Sequence, residues 1–66
     1  MDIKYSKHAR ERMILRGISA LEVKEAIIRG SKGIQKPDKI LSYHKYFCVV
    51  YKKSNDIYYI ITVKPR

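Results

Sequence analysis

The sequence is poor in the residues that build stapled, flexible or membrane-spanning chains. Its single cysteine excludes an intrachain disulfide, so a secreted disulfide scaffold is not expected. Three glycines and two prolines in 66 residues argue against linker-like or disordered composition. No apolar run approaches the roughly 20 residues that span a bilayer, and the N-terminus lacks the apolar core of a signal peptide. These absences predict a single cytoplasmic domain over residues 1–66, with no membrane partner.

Acidic residues are also scarce, and this scarcity bears on the partners. Six Asp and Glu stand against 15 Lys and Arg, which leaves a net charge of +9. So basic a small domain is typical of nucleic-acid binders, although an anionic membrane surface, an acidic protein or solubility alone would also suit the charge. A chain of this length buries only about 60% of its unfolded surface, so a surface groove is expected rather than an enclosed cavity.

The first half of the sequence begins with a short strand followed by a helix. Residues 3–5 alternate apolar and polar side chains, as a strand does. Ser6 can cap the free amides of a helix over Lys7–Arg16, and Gly17 is the expected left-handed end of that helix.

A second helix follows directly. Ser19 and Glu22 have the spacing of a capping box, in which each side chain accepts a hydrogen bond from the other residue's backbone amide. Gly30 ends this helix. The polar residues 30–38, with two glycines and a proline, predict a loop.

The second half of the sequence predicts strands at residues 39–44, 46–52 and 57–64. The middle run is apolar on both sides, which marks a central strand. Short connections favour a three-stranded antiparallel meander. The predicted fold is α+β, with a short N-terminal strand and both helices packed on one face of the sheet. The other face stays partly open and is available to a ligand.

Three side chains of the first helix form a candidate catalytic stripe. His8, Arg12 and Arg16 are four residues apart and share one side, next to an apolar side with Ala9 and Met13. Imidazole transfers protons near neutral pH, and guanidinium binds phosphate and its developing charge. This set suits metal-free RNA cleavage. A solvated cationic flank explains the same spacing and stays open.

Aromatic and basic residues alternate in the strand region and suit base stacking beside phosphate contacts. Core packing of the tyrosines is the competing interpretation. In the last strand, alternation predicts a core side with Ile57, Tyr59, Ile61 and Val63, and a ligand side with Tyr58, Ile60, Thr62 and Lys64. The predicted nucleic-acid contacts are Lys7, Arg10, Tyr43, Lys45, Lys64 and Arg66.

Metal and cofactor chemistry has little support in the sequence. The two histidines and the one cysteine have no metal-ligand spacing, and no glycine-rich phosphate loop occurs. Cys48 lies in an apolar run, so we expect a small buried side chain rather than a nucleophile. No metal and no cofactor are predicted.

The first helix and the turn after it carry a recognisable signature. His8-Ala9, Arg12-Met13 and Arg16-Gly17-Ile18-Ser19 resemble the HAxxRMxxRGIS pattern of a family of small bacterial and archaeal domains of unknown function. That family has been grouped with RelE/ParE-like toxins and metal-independent ribonucleases. The resemblance implies a RelE-like fold, RNA cleavage and neutralisation by a partner protein. It points to His8, Arg12, Arg16 and Thr62 as the catalytic residues.

Together these features predict a toxin-like, metal-independent endoribonuclease. His8 would transfer the proton, and Arg12 and Arg16 would bind phosphate. The expected partners are RNA, either free or on the ribosome, and a cognate antitoxin protein. A non-catalytic RNA- or DNA-binding module, or a protein-inhibiting interaction module, is the alternative. The sequence leaves monomer and homodimer both open.

Overall fold

The chain folds into two helices and a five-stranded mixed sheet, and the computed structural model describes residues 1–66. The elements in chain order are β1 (Asp2–Tyr5), α1 (Lys7–Arg16), α2 (Ala20–Arg29), β2 (Ser31–Gln35), β3 (Lys39–His44), β4 (Phe47–Ser54) and β5 (Ile57–Pro65). The strand order is β1-β5-β4-β3-β2, with β1 parallel to β5 and all other neighbours antiparallel. The α+β class is confirmed. Neither helix has the length and apolar character needed to cross a bilayer.

The ends of both helices follow from the predicted capping residues. The Ser6 hydroxyl accepts a hydrogen bond from a first-turn amide of α1 at 3.0 Å and donates one to the Ile61 carbonyl at 2.9 Å. This second bond ties the start of α1 to β5. Gly17 ends α1 with φ of 67°, a left-handed conformation that costs other residues about 1 kcal/mol or more. Ser19 and Glu22 form the complete capping box of α2.

The main core lies between the helices and one face of the sheet. Helix α1 packs over β5, whereas α2 packs over β3 and β4. The buried residues of this core are Ala9, Ile18, Val23, Ala26, Ile27, Phe47, Val49, Tyr51, Ile60 and Val63. A second, smaller cluster of Leu41, Cys48 and Val50 contains no helix residue. Helix packing on one face and a central β4 buried on both sides are therefore as predicted.

The predicted loop over residues 30–38 is wrong, because Ser31–Gln35 form the edge strand β2. The meander consequently has four strands, not three. Local sequence does not favour this strand, since it is polar and contains a glycine. Pairing with β3 supplies its hydrogen bonds. The ring of Tyr43 leans towards β2 at Gly33, where a β-carbon would lie 3.4 Å from it, an ordinary van der Waals contact.

A bulge in β5 overturns part of the predicted alternation. Val50 pairs with Thr62 but Tyr51 pairs with Ile60, so Ile61 has no partner on β4. The extra residue reverses the alternation within the strand. The residues of β5 on the helix side are Tyr58, Ile60 and Val63, whereas Ile57, Tyr59, Thr62 and Lys64 lie on the other side. The predicted core positions of Ile57 and Tyr59 and the predicted ligand positions of Tyr58 and Ile60 are therefore wrong.

Candidate nucleic-acid interface

The face of the sheet that carries no helix is the candidate site, and we call it the open face. Cross-strand neighbours share a face, so the register assigns its residues. One row across β3, β4 and β5 holds Tyr43, Cys48 and Lys64. The next row holds Leu41, Val50 and Thr62, and a third holds Lys52, Tyr59 and Lys4. Lys39, on β3 just before the helix-facing Ile40, also belongs to the open face.

The open face has an apolar centre and a cationic margin. Leu41, Cys48 and Val50 are buried in the centre, although no helix covers them. Five cationic residues surround this centre. They are Lys4, Lys39, Lys52 and Lys64, with Arg66 at one end of the face. The carboxylates on this side belong to Asp2 and to Asp38, which lies 3.4 Å from the Lys52 ammonium. Positive charge therefore predominates over the open face.

Three of the predicted nucleic-acid residues, Tyr43, Lys64 and Arg66, come together at one end of this face. Lys45 lies on the helix side, because the pKa of Glu22 at the start of α2 is lowered by the Ser19 backbone hydrogen bond and, in addition, by the ammonium of Lys45. The guanidinium carbon of Arg66 lies 5.9 Å from the centre of the Tyr43 ring, a cation–π contact. The same side chain donates to the Lys45 carbonyl at 3.3 Å, and the Arg66 amide donates to the Tyr46 carbonyl at 3.1 Å. These bonds hold a turn in which Lys45 has φ of 52°. Lys64 lies alongside, in the same row as Tyr43.

The thiol of Cys48 is part of the floor of the open face and is not a nucleophile in this setting. Burial raises its pKa above the ordinary value, and the nearby positive charge of Lys64 offsets only part of that effect. The thiol consequently stays protonated near neutral pH. This agrees with the expected role of a small buried side chain.

The predicted catalytic stripe lies on α1, in the helix layer. His8 is exposed, whereas Arg12 and Arg16 are half-buried. The Nε atom of Arg16 is buried and has no hydrogen-bond partner. Thr62 lies on the open face beside Val50, on the side of the sheet away from the helices. The structure therefore places His8, Arg12 and Arg16 together on α1 and separates Thr62 from them.

The remaining predicted contacts, Lys7 and Arg10, also lie on α1 rather than on the open face. Arg10 lines a groove of about 470 Å³ that is otherwise formed by Tyr5, Met13, Ile14, Gly17, Ile18 and Ser19. Two helical positions separate Arg10 from His8, which places the two side chains roughly 160° apart around α1. The groove and the predicted catalytic stripe are therefore on different flanks of the helix.

The predicted nucleic-acid contacts omit three cations and one aromatic ring of the open face, namely Lys4, Lys39, Lys52 and Tyr59. Lys4 reaches it only because β1 pairs in parallel with β5, a contact between the two ends of the chain. Tyr59 reaches it because of the bulge at Ile61. Lys39 could have been found from the alternation of β3 once the buried side of that strand was known.

Comparison with known proteins places the chain in a family. No curated protein and no solved structure matches it significantly. The family model described as "Domain of unknown function (DUF4258)" matches residues 5–64. This range contains both helices, the predicted catalytic stripe and all of the open face except Asp2, Lys4 and Arg66, which lie beyond its ends. Because the match covers nearly the whole length, the chain belongs to the DUF4258 family.

Proposed function

We propose that this protein binds RNA through the open face of its sheet. The observation that carries the proposal is the combination on one uncovered surface of Tyr43 and Tyr59 with the cations Lys4, Lys39, Lys52, Lys64 and Arg66. Cations attract the phosphates, and aromatic rings offer stacking surfaces to bases. The net charge of +9 adds a long-range attraction for any polyanion.

RNA rather than DNA is favoured by the general architecture of the chain. A strand, two helices and an antiparallel meander resemble the arrangement of RelE-like ribonucleases, to which the helix signature was compared. We accordingly propose a RelE-like fold and a cytoplasmic location, where RNA is the abundant polyanion. A likeness in fold alone does not fix an activity, so the open face carries the proposal.

The test compares charge removal on the two sides of the molecule. Binding of a fluorescein-labelled single-stranded RNA is measured by anisotropy at 0.1 M salt. Each lost phosphate contact weakens binding about fivefold at this salt concentration, so Lys52→Ala with Lys64→Ala should cost about 25-fold. Lys24→Ala with Arg29→Ala removes the same charge from α2 and should leave the affinity nearly unchanged. Equal losses in both double variants would contradict an open-face site.

A second proposal is metal-independent RNA cleavage by the α1 stripe, as in a toxin restrained by a cognate antitoxin protein. The observation that favours it is the buried, unpaired Nε of Arg16 beside the half-buried Arg12. An unsatisfied buried donor costs about 1–3 kcal/mol, which is easier to understand at a functional site than on an idle flank. His8 would take the 2′-hydroxyl proton as the 2′-oxygen bonds to phosphorus, while the guanidinium groups stabilise the phosphate charge. The bond from phosphorus to the 5′-oxygen would break, and the leaving 5′-oxygen would take a proton from water.

Cleavage is tested with labelled total RNA in EDTA, with and without ribosomes. The chain has two histidines, so His44→Ala is the matched control for His8→Ala. The proposal predicts 2′,3′-cyclic phosphate ends from wild type and from His44→Ala, and none from His8→Ala. Equal cleavage by both variants would exclude His8 and point to a contaminating nuclease or a different site. No cleavage under any condition would leave RNA binding as the function.

A further inference from the structure

We infer that the open face takes single-stranded RNA and stacks its bases at two separate positions, on Tyr59 and on Tyr43. This inference rests on the proposed function and deepens it, because it names the form of RNA and the length of strand that is bound. Charge alone would accept single-stranded and duplex RNA alike. The distinction comes from where the two rings lie and what surrounds each of them.

The first position is the ring of Tyr59, which lies between two lysines. Tyr59 pairs across the sheet with Lys52 on β4 and with Lys4 on β1. The residue is 46% exposed and takes part in none of the aromatic pairs or side-chain hydrogen bonds of the molecule. A base can stack on this ring while the phosphates on either side of it reach the two ammonium groups.

The second position is the ring of Tyr43 at the other end of the face. This ring lies beside Gly33 of β2, and the Arg66 guanidinium lies over it. Guanidinium planes stack on bases as they do on aromatic rings. A base that stacks on Tyr43 takes the place of the Arg66 guanidinium over the ring. Arg66 is then free to bind a phosphate. Lys64, in the same row, supplies a second cation.

The distance between the two positions sets the length of strand. Tyr43 is level with Cys48 and Tyr59 is level with Lys52, four residues further along β4. Four residues along a strand and two strand spacings across the sheet place the two positions about 16 Å apart. An extended single strand covers this distance with about four nucleotides, at the lower end of the site sizes of single-strand-binding folds. The path crosses the apolar centre at Val50 and Leu41.

A duplex cannot use these positions. Its bases are paired and stacked inside the helix, so it presents phosphates, 2′-hydroxyls and base edges to a protein surface but no free base faces. The apolar centre of the open face offers these groups no partner. Stacking on Tyr43 and Tyr59 is therefore gained only by unpaired bases.

The experiment measures anisotropy of the full chain with labelled single-stranded RNAs of two, four and eight nucleotides and with a duplex. The four- and eight-nucleotide strands should bind, and the two-nucleotide strand and the duplex should bind at least tenfold more weakly. Tyr59→Leu and Tyr43→Leu should each weaken single-strand binding by about tenfold, as expected for loss of one stacked base. Tyr59→Phe keeps the aromatic face and should retain the affinity, which separates stacking from misfolding.

Tyr46→Leu is the matched control. Tyr46 is exposed, but it packs on Phe47, which faces the helices, so its loss should not change binding. Equal affinity for duplex and single strand, with no effect of Tyr59→Leu and Tyr43→Leu, would overturn the inference. The proposed RNA-binding function would survive that result if the lysine variants still lost affinity. Absence of binding to every RNA would remove the function and the inference together.

Discussion

The salt dependence of RNA binding provides a quantitative prediction from the open face. Five cations lie on it, namely Lys4, Lys39, Lys52, Lys64 and Arg66. Each phosphate neutralised on a single strand contributes about −0.7 to the slope of log K against log salt, so five contacts give about −3.5. Affinity should then fall about 100-fold between 50 and 200 mM salt. Replacing Lys64 by alanine should reduce the slope to about −2.8.

Anisotropy titrations of an eight-nucleotide RNA at five salt concentrations measure both slopes. Lys24→Ala, on the exposed side of α2, is the control for a general loss of charge and should keep the wild-type slope. A wild-type slope shallower than about −1.5 would show that no more than two phosphates are neutralised. An equal change of slope in Lys24→Ala and Lys64→Ala would also refute the reasoning, because it would mean that net charge and not position governs binding.

Four other perturbations have definite expected outcomes. Asp38→Asn removes the carboxylate beside Lys52 and should tighten RNA binding severalfold in the same titration, whereas weaker binding would contradict the assigned face. Burial raises the pKa of Cys48, so a thiol reagent at pH 8 should label the folded protein far more slowly than the protein in guanidinium chloride. The Ser19 backbone amide donates a hydrogen bond to the Glu22 carboxylate and lowers the pKa of Glu22 below 4.5. Glu22 therefore stabilises the fold above that pH, and the advantage of wild type over Glu22→Gln in urea unfolding should shrink as the pH falls through the lowered pKa. A β-carbon at Gly30 would meet two backbone carbonyl oxygens at 2.5 and 2.7 Å, so Gly30→Ala should cost at least about 2 kcal/mol in urea unfolding.

The parts of the fold that were predictable are those fixed by neighbouring residues. Ser6, Gly17 and the Ser19–Glu22 capping box act within one helical turn, and the structure has α1 at Lys7–Arg16 as expected. The two-sided apolar run of β4 marks a central strand for a similar reason. Its apolar residues on both sides already indicate that both sides of this strand are buried.

The parts that were missed depend on contacts between distant segments. β2 is a strand because β3 pairs with it, not because its own residues favour one. The extra residue Ile61 has no sequence signature, yet it moves Tyr59 from the expected core side to the open face. The same limit applies to the candidate site. Spacing could group His8, Arg12 and Arg16 on one helix, but the position of Thr62 relative to them depends on which face of the sheet the helices cover.

The most direct test of the central claim is a map of the RNA contact surface on the folded chain. At 66 residues the protein suits amide chemical-shift mapping by NMR, with a single-stranded RNA of eight nucleotides added stepwise. The open-face account predicts that the largest shifts fall on Tyr43, Lys52, Tyr59 and Lys64, with little change in α2. Shifts confined to α1, over Lys7–Arg16, would contradict it and would place the RNA on the helix layer instead.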